Sequence, residues 1–417
     1  MGGGPSDIEI RAITEDDLAG WAYVLDASFL FPLAEGAVAF RREFFTPGRS
    51  LGAFDAGRCV GTLRSLDLAV TVPGGATVPA DGITAVGVLA SHRRRGLLSG
   101  MMRAALDDTV TRGLGLAALI AAEYWIYGRY GFGPATSAAG YDIDVRRAGV
   151  IRVPGAEGGR VESLDLDGVR EHGPALHERF RRTQVGAIPR PQTWWRLRTG
   201  ELRSPYRVWK EPMAVLYRDA AGNPAGMAVY HSDDQWRDGD PDVGLTVVDL
   251  FAVDPGAAAE LWRYLLTLGW VTRVTASNVA PDDPLPLLLD NPRACVLRPG
   301  AGRDHLWLRI LDVARVLGAR RYGGPGRLVL DITDRLGYAS GRFALQAGPD
   351  GQGSVSPATE PADLALDVSV LGMLYLGDQT VSRLAAAGLV AEQQAGAVIR
   401  ADRMLRTATR PWCPDGF

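Results

Sequence analysis

Along residues 83–110 the spacing of apolar positions changes period once, and the change falls on a basic turn. Val86, Gly87, Val88 and Leu89 close a short, nearly continuous apolar run, the pattern of a buried strand. Ser91, His92, Arg93, Arg94, Arg95 and Gly96 follow. From there Leu97, Leu98, Met101, Met102, Ala105, Leu106 and Val110 recur three or four apart, which predicts an amphipathic helix. Upstream, residues 8–13 alternate like a half-buried strand, and Thr14 is placed to cap the helix expected over residues 18–31. Phe29 and Phe31 either wall a substrate site or, as expected more often, pack in the core. Residues 51–54 and 60–72 read as strands, with a hairpin at Pro73, Gly74 and Gly75. Residues 116–122 read as another buried strand before a glycine-rich turn, so strand and helix alternate through a first unit, residues 1–149.

The pattern returns in a second unit, residues 150–300. Residues 246–253 form an apolar run carrying Asp249, a turn holds Asp254 and Pro255, and residues 257–268 have helical spacing. An acidic turn repels phosphate, so this unit reads as a degenerate copy of the first; the residues alone leave duplication and chance both open. In a third unit, residues 301–417, a helical pattern begins at Leu306, strands are expected at 327–332 and 341–346, and a helix at 378–387. Residues 348–361, rich in Gly, Pro and Ser, read as a loop.

A strand, a basic glycine turn and a helix start together make a phosphate-binding geometry. The free N–H groups of the first helical turn and the macrodipole favour an anion, and guanidinium forks suit phosphate oxygens. Three arginines in a row equally describe a solvated surface patch or a nucleic-acid contact. No Gly-Lys-Ser/Thr follows, so the turn is not a P-loop, and a single glycine is not a dinucleotide fingerprint. Composition narrows the choice. The chain has 417 residues, enough for two or three domains, with 47% apolar and 22% charged residues. A net charge of −3 argues against nucleic acid or an anionic membrane as partner. Three scattered cysteines, Cys59, Cys295 and Cys413, lack disulfide-framework or metal-ligand spacing, and no apolar run approaches the ~20 residues of a membrane span. A cytoplasmic protein without a metal is expected. Gly2 and Ser6 formally fit a myristoylation pattern, but a flexible glycine-rich lead is the expected role.

The spacing Arg93-x-x-Gly96-x-Leu98 resembles the acyl-CoA pyrophosphate loop of the GNAT superfamily of N-acetyltransferases, departing from it at Leu98, where a small residue is usual. Three further segments resemble one branch of that superfamily, the Eis (enhanced intracellular survival) family. They are Ile126-Tyr127-Gly128-Arg129-Tyr130-Gly131-Phe132-Gly133-Pro134-Ala135-Thr136, Leu371-Gly372-Met373-Leu374-Tyr375-Leu376-Gly377, and a bare terminal Phe417. The resemblance implies an α/β (α+β) fold of tandem GNAT-type mixed-sheet domains followed by a sterol-carrier-protein-like α/β domain. It implies acetyl-CoA as co-substrate, no metal, and a homohexamer. It further implies that Val86, Gly87 and Val88 lie along the cofactor, that Arg94, Arg95, Gly96, Leu97, Leu98 and Ser99 cradle the pyrophosphate with Arg93 at its edge, and that Ala122 and Glu123 line the pantetheine side. Tyr127 matches the family's general acid, a phenol that stays protonated at neutral pH. Phe417 supplies the family's terminal-carboxylate base, which burial would strengthen.

The acceptor that the resemblance implies is a small-molecule primary amine, of aminoglycoside, polyamine or arylalkylamine type, or a lysine, and the sequence does not decide among them. Aminoglycoside-acetylating relatives use acidic residues, and here Phe31 and Gly416 stand near two such places, with Asp26 and Asp415 close by as substitutes. A less acidic, aromatic pocket would favour an arylalkylamine over a polycation. The competing reading is a non-catalytic CoA- or lipid-binding protein that uses the third domain as a carrier.

Overall fold

The computed structural model describes residues 8–155, 158–300 and 302–417. The N-terminal glycine lead and its myristoylation-like pattern lie outside the described residues. The first sheet is built from β1 (Ile8–Ala12), β2 (Ser50–Asp55), β3 (Arg58–Thr71), β4 (Thr77–Val88) and β5 (Leu116–Ile120), in that spatial order. Helices α1 (Leu18–Ser28), α2 (Ala37–Arg42) and α3 (Leu97–Thr111) flank it. Asp17 rather than Thr14 holds the N-cap position of α1, without a side-chain cap bond, and the Thr14 hydroxyl donates to the Asp17 carboxylate.

Strands β4 and β5 are parallel, but they pair only at Asp81/Ala117, Gly82/Ala118 and Ile83/Leu119. Just beyond, β4 bulges: Arg64 of β3 faces Thr84, whereas Thr62 already faces Gly87, and Ala85 between them takes a positive φ of 52°. A bulge bends the strand that carries it. The two strands therefore part at one fixed level.

Leu306–Ile310, expected to be helical, is a fully buried strand that pairs antiparallel with β5 and completes the first sheet. A five-residue apolar run cannot distinguish the two states by periodicity alone. In the reverse direction, Ser137–Asp144 leaves the first unit and pairs with Val271–Val279 and Cys295–Leu297 in the second sheet. The sheets thus exchange strands across residues 149/150 and 300/301. The second sheet continues through Val243–Ala252, Pro224–Ser232, Met213–Arg218 and Arg160–Leu164. Its parallel pair, Val243–Ala252 with Val271–Val279, is joined by the helix Pro255–Leu266.

The third sheet has five strands, with Gly326–Thr333 at its centre. Its edge strand Gly353–Pro357 falls inside the stretch expected to be a loop; an edge position tolerates Pro and Gly that a central strand would not. The helix Val368–Tyr375 contains the Leu371-Gly372-Met373 motif, and a Cβ at Gly372 would lie 2.6 Å from the carbonyl oxygen of Leu308. Only glycine lets this helix rest directly on the strand that completes the first sheet.

That sheet is consequently buried on both faces. On one, Leu63, Ile83 and Leu119 pack with Met101, Met102 and Leu106 of α3. On the other, Val78, Ala80, Leu116 and Leu308 share a core with Leu328, Leu371 and Tyr375 of the third domain. Truncating any of the leucine, isoleucine or methionine side chains among these to alanine costs about 2–5 kcal/mol. The split between β4 and β5 is held from both sides.

Candidate active site

The basic turn runs from the short 3-10 turn Ala90–His92 to α3. Arg94 adopts a positive φ of 64° and Gly96 one of 83°, which points successive backbone N–H groups to one side. Gly96 is the N-cap of α3 and offers no side chain, so the first N–H groups of the helix are left to an external acceptor. Arg93, Arg94, Arg95, Gly96 and Ser99 are exposed; Leu98 is half-buried and Leu97 fully buried among the sheet residues. Arg95 and His92 both reach Asp55, at 3.1 and 3.2 Å, which fixes the base of the turn.

Leading into it, the edge of β4 that faced β5 loses its partner after Ile83. Val86 and Val88 are half-buried there, and Gly87 packs closely on Ser28 of α1. Ala122 and Glu123 follow β5 and are exposed across the gap. An open strand edge beside an uncapped helix start suits a long thioester ending in a diphosphate. The residues present therefore fit acetyl-CoA.

Tyr127 ends the helical turn Tyr124–Tyr127 and is buried against Phe132, Ile83, Leu119 and Trp307. Burial, reinforced by Glu123, pushes its phenol up to about 12. The neighbouring Tyr130 hydroxyl bonds Ser99 Oγ at 3.0 Å, whereas the Tyr127 hydroxyl has no hydrogen-bond partner among the described residues. Of the two tyrosines, Tyr127 is the one whose hydroxyl makes no hydrogen bond among the described residues.

Phe417 arrives from the other face. A Cβ on Gly82 would come 3.3 Å from its ring, and Leu66 packs beside it. Thr84 Oγ1 donates to a Phe417 oxygen at 3.1 Å. A methyl group on Gly416 would touch Ile120 of β5 at 3.7 Å. Residues 416 and 417 thus sit where β4 and β5 separate, on the face occupied by Gly82 and Thr84, while Tyr127 packs with Ile83 on the opposite one.

The approach to this point is heavily anchored. The Trp412 indole N–H donates to Asn278 Oδ1 (2.8 Å), and Asn278 Nδ2 donates to the carbonyls of Pro414 (2.9 Å) and Cys413 (3.3 Å). Arg190, its side chain 1% exposed, donates through Nε to Asp415 (2.8 Å) and through both terminal nitrogens to Asp249 (2.7 and 2.9 Å). His305 Nε2 donates to the Asp415 carbonyl at 2.9 Å. His177 Nε2 stands 3.5 Å from the second Asp415 oxygen. Burial would push the Asp415 carboxyl up, but Arg190 beside it holds it below its usual range. Burial keeps His177 low, towards the neutral ring, against the pull of Asp415.

Two expectations change at this site. Asp26 and Asp415 do not act as free carboxylates: Asp415 is committed to Arg190, and Asp26, 3% exposed, binds Arg41 and accepts from the Tyr206 hydroxyl at 2.5 Å. Phe29 and Phe31 are not core residues, being 46% and 61% exposed. Thr84, Arg190, Asp249, Asn278 and His305 were not anticipated. Asp249 carried a signal, as the lone carboxylate in an apolar strand, a position that demands a buried cation.

This splayed strand pair with its basic helix-start turn defines a GNAT acetyltransferase domain. The acetyltransferase (GNAT) domain family matches residues 9–135 and a second such family matches residues 186–310, while the sterol carrier protein domain matches residues 313–414. An uncharacterized N-acetyltransferase of Streptomyces avermitilis is 48% identical over 99% of both chains. The N-acetyltransferase Eis of Mycobacterium tuberculosis is 36% identical over 90% of both. The crystal structure of Eis1 from Mycobacterium abscessus superposes with a TM-score of 0.86, 33% identity, and coverage of 98% of this chain and 100% of that one. The chain belongs to the Eis family of GNAT N-acetyltransferases, and it is an acyltransferase built from two GNAT domains and a sterol-carrier-like domain. Among the described residues no helix is long and apolar enough to cross a membrane.

Proposed function

We propose that this enzyme moves the acetyl group of acetyl-CoA directly to a primary amine, with the Tyr127 hydroxyl as general acid and the Phe417 carboxylate as general base. The observation that carries this reading is the convergence of Phe417, bonded to Thr84, and Tyr127 on the parting of β4 and β5 from opposite faces of the sheet. Acetyl-CoA, when bound, supplies the activated acyl group and a thiolate leaving group. Arg93, Arg94 and Arg95, with the amides of Gly96, Leu97, Leu98 and Ser99, hold its diphosphate. The open edge of Val86, Gly87 and Val88 offers N–H donors to the thioester carbonyl, where a preorganised donor counts most. Ala122 and Glu123 line the opposite side of the gap. The Phe417 carboxylate accepts one proton of the incoming ammonium, Tyr127 delivers one to the departing sulfur, and the second proton lost by the nitrogen restores the Tyr127 phenol.

Release of CoA thiol in the presence of a panel of primary amines tests the activity, and Tyr127→Phe tests the acid. We also carry the domain limits 1–149, 150–300 and 301–417, a cytoplasmic location and a homohexamer as proposals, the last checked by light scattering of the purified protein.

A further inference from the structure

Next to Gly416 a cavity of about 580 Å³ opens between α2 and the second domain. Its walls are aromatic: Phe40, Trp194, Tyr206 and Trp209 all face it. So are cations supplied by the segment around them: Arg198, Arg207 and Lys210 line the same space and are exposed. Arg198 lies 5.1 Å over the Trp194 ring, Lys210 donates to the Ser232 carbonyl, and Arg207 has no partner among the described residues. The carboxylates nearby are spent. Asp249 is held by both terminal nitrogens of Arg190, and Asp26 behind Tyr206 is held by Arg41. A polycation entering here would meet three positive side chains and no free side-chain acid. An aromatic ring would instead meet stacking faces, and an anionic group would find a free guanidinium.

We propose that this cavity is the acceptor site and that its preferred substrate is an aromatic primary amine bearing an anionic group, a carboxylate or phosphate set away from the amine. The inference rests on the acetyl-transfer reading above, because Gly416 brings the cavity up to Phe417. The ring lies among Trp194, Tyr206 and Trp209, the amine points to the Phe417 carboxylate, and the anion faces Arg207 and Arg198. Transfer forms the amide N–C bond and breaks the thioester C–S bond. The ammonium loses two protons on its way to the amide: the first ends on the Phe417 carboxylate, and the second replaces the one that Tyr127 gives to the thiolate, so the step balances without a further reactant.

The test compares kcat/KM, by release of CoA thiol, for 4-(2-aminoethyl)benzoate, 2-phenylethylamine, spermidine and kanamycin. The expected order places the benzoate first and both polycations last. In Arg207→Glu, an exposed change that strands no buried partner, the benzoate-to-phenylethylamine ratio falls about tenfold, and spermidine improves. A wild-type preference for spermidine or kanamycin, or a ratio unmoved by Arg207→Glu, overturns the substrate class while leaving acetyl transfer standing. Absence of thiol release with every amine, in protein shown by calorimetry to bind acetyl-CoA, overturns both.

Discussion

The molecule contains the same strand–turn–helix arrangement twice, and the two copies finish in opposite states. In the first, β4 and β5 pair in parallel as far as Ile83/Leu119, β4 bulges at once, and α3 begins at Gly96 without a side-chain cap. In the second, Val243–Ala252 and Val271–Val279 pair as far as Val247/Ala276, and the strand bulges at Val248, between the partners of Val229 and Tyr230. There, however, the helix starts under Asp254, whose carboxylate accepts from the Ala257 N–H at 2.8 Å. The parting of the strands is filled as well. Trp412 packs with Phe251, Asn278 clamps residues 412–414, and Asp249 holds Asp415 through Arg190. The same strand–turn–helix arrangement is a ligand site when its amides are free and a structural seat when the chain satisfies them itself. The second copy has become the holder of a tail whose end reaches the first.

The largest effect should come from disturbing what meets in the first split. Tyr127→Phe, or a short extension beyond Phe417, should lower kcat by about 10²–10⁴-fold with acetyl-CoA affinity nearly unchanged; steady-state kinetics beside calorimetry separates the two. Burial raises the Tyr127 phenol to about 12, so its acid form persists and any alkaline loss of rate assigned to it begins above pH 10. The same raised value stabilises the fold below the unfolded phenol's pKa of about 10, a contribution lost as pH climbs towards 12. A rate that survives the extension would show that the tail is only structural in both copies.

Second comes the seat itself. Arg190→Ala would leave the buried Asp415 and the half-buried Asp249 without their cation, at a cost of about 3–5 kcal/mol in denaturant unfolding. Turnover should fall with it, because Phe417 loses its anchored approach. Burial pulls the Arg190 guanidinium down, while Asp249 and Asp415 more than restore it, so it stays charged throughout the working range. Equal stability of this variant and the parent would mean that the second split does not carry the tail's binding energy.

This contrast was only half visible in the sequence. Residues 83–110 declare themselves because strand, turn and helix are adjacent, and each has its own period. Tyr127 could be named because its motif is short. Nothing local announces that Leu306–Ile310 closes the first sheet, since its partner β5 lies almost 190 residues away and apolar runs this short suit either state. The seat is harder still. Arg190 meets Asp415 across a separation of 225 residues and Asp249 across 59, and although Asp249 stands out in its apolar strand, Arg190 and Asp415 alone each read as a surface charge. Asp26 was legible as a carboxylate near the acceptor; its ion pair with Arg41 spans only 15 residues, but the hydrogen bond from Tyr206 that takes up its second oxygen comes from a loop 180 residues away.

Third, the two helix starts can be made alike. Gly96→Asp would put a carboxylate where the second copy carries Asp254. A Cβ there meets nothing within 4 Å; the positive φ strains any side chain, but Asp tolerates it better than most, so the fold should accept it at a cost of about 1 kcal/mol. Its charge would compete with diphosphate for the same N–H groups, raising the acetyl-CoA dissociation constant about tenfold. An unchanged affinity would place the diphosphate elsewhere than at this turn.

The smallest effect is the reciprocal one. Asp254→Ala removes the cap of Pro255–Leu266 and frees the Ala257 N–H, at a cost of about 1 kcal/mol in stability. It does not recreate a cofactor site, because the strands behind that turn stay closed by Trp412, Asn278 and the Arg190–Asp249 pair. Stoichiometry should therefore remain one acetyl-CoA per chain, with kcat close to the parent's. Calorimetric titration decides the point: a second equivalent bound by the variant would mean that the acidic turn alone, and not the seated tail, had extinguished the second site.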